Sequence, residues 1–276
     1  MNAPRVSIVL PTWNGERDLA RLLPALAAQQ FPGGFEIRAV DSGSTDGTCA
    51  LLERAGATVR RIPHAEFRHG RTRNLAAEDA RGEILVFLSQ DATPRDPAFL
   101  SALVSAFDDP AIAAACARIL PHPDDDPLTA RTVLSLPEAR EEAGPASIND
   151  VASAIRAAVF REMPFPDVTF GEDVAWSARA LSAGLKIRFE PRAVVLHSHR
   201  YSPARVYERY RIDAAFRRQQ FGERIRPSLF SVARGIAFEL REDLRYVARH
   251  GGAGHLLRAP FLRAAQVLGQ YAGSRG

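Results

Sequence analysis

Cysteine is nearly missing from this 276-residue chain, which carries only Cys49 and Cys116. Both sit in apolar or helical stretches. They read as core thiols rather than a bridge or a metal pair, and their scarcity fits a reducing compartment. Lysine is scarcer still: Lys186 is the only one, so arginine carries nearly all the positive charge. Long hydrophobic runs are absent as well. No apolar stretch approaches the roughly 20 residues that span a bilayer. The opening MNAPRVSIVLP enters a strand without a basic-then-apolar leader. The expectation is a cytoplasmic protein that meets a membrane only peripherally, at its inner face.

Glycine-rich phosphate cradles are also lacking. There is no G-x-x-x-x-G-K-[ST], and the first apolar run is followed by TWNGE rather than a G-x-G-x-x-G turn. A bound nucleotide would need a metal ion, arginines or helix ends to neutralise its phosphates. No internal repeat or low-complexity tract occurs, and a nucleic-acid partner is not expected.

What is present is ordinary in bulk and uneven in detail. Hydrophobic residues make up 46% and charged residues 25%, as in soluble globular proteins. The length suits one large domain with a smaller appendage. From Ser202 to Gly276 there are 14 Arg against six acids, a balance of +8, so with a net +4 overall the first 201 residues carry about −4. An acidic-leaning body and a basic tail suggest chemistry in front and attachment to something anionic behind. We expect two regions, 1–201 and 202–276.

Strand and helix signals alternate through the first half. Val6 to Leu10 is a β-branched run, followed by Leu19, Leu22, Leu23 and Leu26 at helical spacing. Phe35 to Val40 reads as a second strand, then a helix to about Ala55 capped by Thr45 or Asp46. Thr58 to Ile62 is a weaker strand, Arg71 to Ala80 a helix, and Glu83 to Leu88 a nearly all-apolar strand. Further on come a strand at Val151 to Ile155, a helix at Val174 to Ala183, and short strands at Lys186 to Glu190 and Val194 to His197. Apolar strands separated by helices imply a parallel sheet covered on both faces. Pro121 to Pro145 is a Pro- and acid-rich excursion around a short helix, in which Asp124 to Asp126 read as a solvated turn.

In such sheets ligands bind beyond the carboxyl ends of the strands. Three strand ends here are polar: Thr12 and Asn14 after the first, Asp41 after the second, Asp91 after the fourth. A hard divalent cation takes one or two carboxylates and completes its shell with phosphate oxygens and water, a task that suits Asp91. Its alternative is a helix cap. Glu172 and Asp173 open a helix, where the macrodipole stabilises them; one of them can also serve as a general base. His197 and His199, at i and i+2 along a strand, share a face and are candidates to meet a metal.

Taken together, these motifs resemble the inverting glycosyltransferases of sequence family two, with the GT-A fold. The resemblance covers roughly residues 5–200. It rests on SIVLPTWNGERDL, AVDSGSTDGT, RTRNLAAEDARGEILVFLSQDATP and FGEDVAWSARALSAGLKIRFEPRAVVLHSH, in that order. Within the family the text is most similar to bacterial rhamnosyltransferases, which share VDSGSTDGT, HGRTRN, Gln-Asp-Ala in place of Asp-x-Asp, GEDVAW and His-Ser-His.

The resemblance implies a Rossmann-like, mostly parallel α/β sheet followed by a helical extension. It implies a dTDP-L-rhamnose donor and a saccharide or lipid-linked acceptor in cell-envelope polysaccharide synthesis. Thr12, Asn14, Glu16 and Ser44 would line the nucleoside pocket, with Asp41 bonded to the pyrimidine. Arg71 and Arg73 would face the diphosphate, and Gln90 would also bind the nucleotide sugar. Asp173 would be the base, Glu172 would hold the acceptor, and Asp91 with His197 or His199 would hold Mg²⁺ or Mn²⁺. Ser89 stands where the wider family has the first Asp of its metal motif, so a single acid is left for the ion. Gln-x-x-Arg-Trp, a mark of processive members, is absent, which favours single-sugar addition. Other readings are a transferase using a UDP-hexose or furanose donor, and a non-catalytic sugar-nucleotide-binding protein.

In the tail, Leu229, Val232, Ile236, Leu240, Leu244 and Val247 recur at helical spacing, with arginines on other faces. Basic amphipathic helices lie in membrane interfaces or cover cores, and the first use would suit a lipid-linked acceptor.

Overall fold

A computed structural model of the protein describes residues 3–141, 147–168 and 170–275. The last part of the Pro121 to Pro145 excursion therefore lies outside the described residues. The chain divides into two units. The first runs to Leu120 and resumes at Leu136–His197; the second combines Pro121–Ser135 with everything from Ser198 onward. The second unit is thus not only the basic tail, because part of the acidic excursion groups with it.

The first unit is built on one eight-stranded sheet. Its strands are β1 (Val6–Thr12), β2 (Phe35–Asp41), β3 (Thr58–Arg61), β4 (Ile84–Leu88), β5 (Thr93–Pro94), β6 (Ile112–Leu120), β7 (Ala152–Arg156) and β8 (Lys186–Leu196), ordered β3-β2-β1-β4-β7-β6-β8-β5. Helices α1 (Glu16–Ala27), α2 (Thr48–Arg54), α3 (His69–Ala77), α4 (Phe99–Ser105), α6 (Ala157–Glu162) and α7 (Glu172–Ser182) accompany it. Strands β3, β2, β1 and β4 run parallel, and so do β6 and β8. β7 is antiparallel to both β4 and β6, and β5 is antiparallel to β8. The sheet is therefore mixed rather than wholly parallel. β8 is one strand through Pro191, where two had been expected, with the β6 register shifting between Ala117 and Arg118.

Alternation along the strands buries both faces. Val9, Leu85, Phe87 and Ile155 point into a core shared with Ala76, Phe160, Phe165 and Trp176. There Phe87 meets Phe160 at 5.1 Å and Phe165 at 5.0 Å between ring centroids, the last edge-on. The Trp176 indole donates to the Met163 carbonyl at 2.6 Å, so its one polar atom is satisfied. Ile8, Leu10, Val86 and Leu88, on the opposite face, are just as deeply buried.

The second unit is helical: α5 (Pro127–Leu134), α8 (Pro203–Phe221), α9 (Leu229–His250) and α10 (Ala259–Arg275). Asp126 caps α5, accepting from the amides of Leu128 and Thr129. Asp125 accepts from the His122 amide and faces Arg200 at 3.5 Å. The acidic run is thus a turn and a cap. Gly269 and Gly273 let α10 lie against the backbone of α8: a Cβ at either would collide with the carbonyl of Tyr207 or Arg211. Asp243, fully buried, sits between Arg131 at 2.6 Å and Arg263 at 2.8 Å. Leu229 and Leu244, which the periodicity had placed with Val232 and Val247, are exposed. Among the described residues no helix is long and apolar enough to cross a membrane.

Candidate active site

The polar strand ends meet at one edge of the first unit. Thr12, the last residue of β1, donates from Oγ1 to Asp41 Oδ2 at 3.2 Å, and Asp41 is the last residue of β2. The Asp41 carboxylate also accepts from the amide of Ser44 at 2.9 Å and from its hydroxyl. Ser44 Oγ in turn accepts from the Asn14 amide at 2.7 Å, and Asn14 Oδ1 accepts from the Thr45 amide at 2.9 Å. Asn14 holds φ at +44°, a left-handed conformation that Asn tolerates better than most residues. Glu16 accepts from the Gly47 amide at 3.0 Å. Glu16 thereby ties the first loop to the second.

Gln90 joins the β4 loop to the same construction. Its amide accepts from the Trp13 amide at 2.9 Å and donates to the Trp13 carbonyl at 3.2 Å. That clamp holds out the Trp13 ring, which is 48% exposed and stacks on His64 at 4.4 Å between centroids. Motif spacing gave neither Trp13 nor His64 a role. A half-exposed indole at a strand end was the available signal.

Asp91 follows directly. Its Oδ1 lies 3.4 Å from His197 Nε2, where β8 ends. Two donors this far apart can share one divalent ion at the usual bond lengths of about 2.0–2.2 Å. An oxygen and an imidazole nitrogen also form a chemically fitting pair. His199 falls in the second unit, where its ring stacks on Tyr201.

The acids at the start of α7 have different surroundings. Glu172 and Arg73 form an ion pair at 3.0 Å with both side chains about 3% exposed. Arg73 also reaches the Asp150 carboxylate at 3.1 Å and the His69 carbonyl at 3.2 Å. His69, Asp150 and Glu172 could by distance hold an ion, but Arg73 already supplies the positive charge among them. Arg73, expected at the diphosphate, and Glu172, expected to hold the acceptor, are paired with each other in this structure. Arg71 is exposed on the first turn of α3 and lies about 200° around the helix from Arg73, so the two arginines share no face.

Among the described residues, backbone amides hold the Asp173 carboxylate. Its Oδ2 accepts from the Asp150 amide at 3.0 Å and its Oδ1 from its neighbour Val174 at 2.8 Å. Burial first, then the carboxylates of Asp150 and Glu172, hold its carboxyl well above the usual carboxylate range. Burial raises Glu172 too, against the opposing pull of Arg73. A carboxylate raised in this way is a better proton acceptor near neutral pH than an ordinary one.

Asp150 is the residue that motif reading missed. It precedes β7, and β7 runs against β4, pairing its first residue Ala152 with Leu88 at the far end of β4. The start of β7 therefore shares an edge with the ends of β1, β2 and β4. A sheet expected to be parallel hides this, since only carboxyl ends were searched. The carbonyl of Asp150 accepts from Ser89 Oγ at 3.1 Å. Through Asp150, Ser89 and Gln90, an unbroken series of contacts runs from Asp173 to Trp13, Thr12 and Asp41.

A model of glycosyl transferase family 2 matches residues 7–163. The O-antigen chain rhamnosyltransferase RfbN of Salmonella typhimurium is 32% identical over 222 residues, covering 75% of this chain and 70% of that protein. WbaN of Salmonella anatum, also an O-antigen chain rhamnosyltransferase, is 30% identical over 221 residues, with the same coverage. Among solved structures, the mannosyltransferase PcManGT from Pyrobaculum calidifontis, in complex with GDP-Man and Mn²⁺, superposes with a TM-score of 0.65 at 20% identity, over 99% of this chain and 86% of that one. TarS residues 1–349 of Staphylococcus aureus with UDP-GlcNAc gives 0.57 at 18% identity, over 96% and 90%. These structural likenesses carry the fold, a GT-A-type α/β sheet with a helical region after it.

Proposed function

Since the chain belongs to glycosyl transferase family 2, we propose that it is an inverting enzyme that moves L-rhamnose from dTDP-L-rhamnose to a saccharide or lipid-linked acceptor of a cell-surface glycan. The donor sugar and the class of acceptor rest on the likeness to the two O-antigen rhamnosyltransferases. The reaction type rests on one observation above all. Asp173 is oriented by two backbone amides and raised by its neighbours, on the same sheet edge as Asp41 and Asp91.

In this reading the acceptor hydroxyl gives its proton to Asp173. Its oxygen forms a bond to the anomeric carbon while the bond from that carbon to the diphosphate breaks on the opposite face. The electron pair leaves with the nucleotide, and the configuration inverts. Arg73 and Glu172 take no part in bond making; with Asp150 they fix where Asp173 stands. Thr12, Asn14, Ser44 and Asp41 hold the nucleoside end, and Trp13 offers its face to the base. Asp91 and His197 would hold a divalent cation, which supplies positive charge to the departing diphosphate.

Thermal-shift measurements on the full chain with a panel of sugar nucleotides test this reading. At 100 times its dissociation constant a ligand stabilises by about 2.7 kcal/mol. dTDP-L-rhamnose is expected to raise the melting temperature above that of the apo-protein more than UDP-hexoses or GDP-mannose do. A larger response to a UDP-hexose would replace the donor, and no response to any of them would remove the transferase reading.

A further inference from the structure

Helix α9 covers its unit with one face and leaves the other bare. Val232, Asp243 and Val247 turn inward, while Phe230 is 72% exposed and Phe238 52%. Phe230, Arg234, Phe238, Arg241 and Arg245 recur at intervals of three and four, so they form one stripe along the helix. Arg234 lies over the Phe230 ring at 5.7 Å and Arg241 over Phe238 at 5.9 Å. A groove on this face is lined by Arg226, Arg234, Arg241, both phenylalanines and small residues, with one acid beside it, Glu242, 3.5 Å from Arg241 and 2.8 Å from Arg245. Arg226 is anchored there by its bond to Gln270 at 3.1 Å.

Two exposed rings, each under one guanidinium group, with Arg226 beside them and a single carboxylate nearby, fit an anionic surface with an apolar interior. Arginine stems can lie along the rings while their heads reach outward. A second copy of this chain is a poor occupant, because a self-complementary contact would bring the groove arginines of two copies together with only Glu242 of each to offset them. We propose that this face of α9 docks the protein on an anionic lipid bilayer. Phe230 and Phe238 enter the headgroup boundary, and Arg226, Arg234 and Arg241 contact lipid phosphates. This goes beyond the transferase reading and does not depend on it, since docking needs no donor.

The test is co-sedimentation of the full chain with vesicles of phosphatidylglycerol and phosphatidylcholine in equal parts, and with phosphatidylcholine alone. Binding is expected to the mixed vesicles only. The double variant Phe230→Ser/Phe238→Ser should bind about tenfold more weakly or worse, and Arg234→Gln/Arg241→Gln about tenfold more weakly. Both pairs are exposed, and circular dichroism would confirm that the helices persist. Phe238→Trp should shift its fluorescence to the blue on mixed vesicles. Equal binding of native and Phe variants would overturn the proposal, as would displacement by inorganic pyrophosphate at matched ionic strength, which would assign the groove to a soluble anion. A dimer in vesicle-free solution that the Phe substitutions dissolve would overturn it in favour of a second copy.

Discussion

Ser89 Oγ donates to the main-chain carbonyl of Asp150 at 3.1 Å, and the amide of that same Asp150 donates to Asp173. Ser89 therefore ties the end of β4 to the loop that holds the Asp173 carboxylate. Ser89→Ala removes a bond worth about 0.5–1.5 kcal/mol. It should lower kcat several-fold while leaving the KM for donor close to native. Steady-state kinetics with varied donor checks this; a change confined to donor KM would place Ser89 at the diphosphate instead.

Asp173→Asn should cost about 10²–10⁴-fold in kcat, the usual worth of a general base. In the native enzyme kcat/KM should fall as pH drops through the raised value of Asp173, well above the ordinary carboxylate range. Asp150→Asn keeps the amide that holds Asp173 but removes a negative neighbour. A like charge raises the value, so its loss lowers it, and the acid limb should move to lower pH. A limb that stays in place in Asp150→Asn would discard Asp173 as the titrating group.

Arg73 separates a structural role from a ligand role. It is 2% exposed and paired with Glu172. Removing one member of a buried ion pair costs about 3–5 kcal/mol because the other charge is left unpaired. Arg73→Met should therefore show a large fall in its urea midpoint. If the midpoint stayed native and only donor KM rose, Arg73 would be a diphosphate ligand, as its motif suggests.

Trp13 is expected to stack on the nucleobase. Aromatic stacking on a base is worth about 1–3 kcal/mol, so Trp13→Ala should weaken dTDP binding by about 5- to 150-fold, with Trp13→Phe in between. Calorimetric titration with dTDP alone reads this directly, and unchanged affinity would release the indole from the site.

Much of this was legible from sequence where local rules agreed. Val6–Thr12, Phe35–Asp41 and Ile84–Leu88 are β-branched or apolar runs with polar stops, and they became strands ending at the site. β6 was not visible: IAAACARIL is rich in alanine, which favours helices, and tertiary packing overrides that preference. Asp150 stayed hidden because strand direction is a property of pairing, not of the strand's own residues. The tail's arginines gave its charge but not its faces. The burial of Asp243 in α9 depends on Arg131 of α5, more than a hundred positions earlier.

That last dependence reaches into synthesis. Leu128, Arg131 and Val133 of α5 leave the ribosome long before Asp243 and Arg263 exist, yet they are buried with the helices that carry those residues. The helical part can close only after Asp243 and Arg263 have been made, however early α5 emerges.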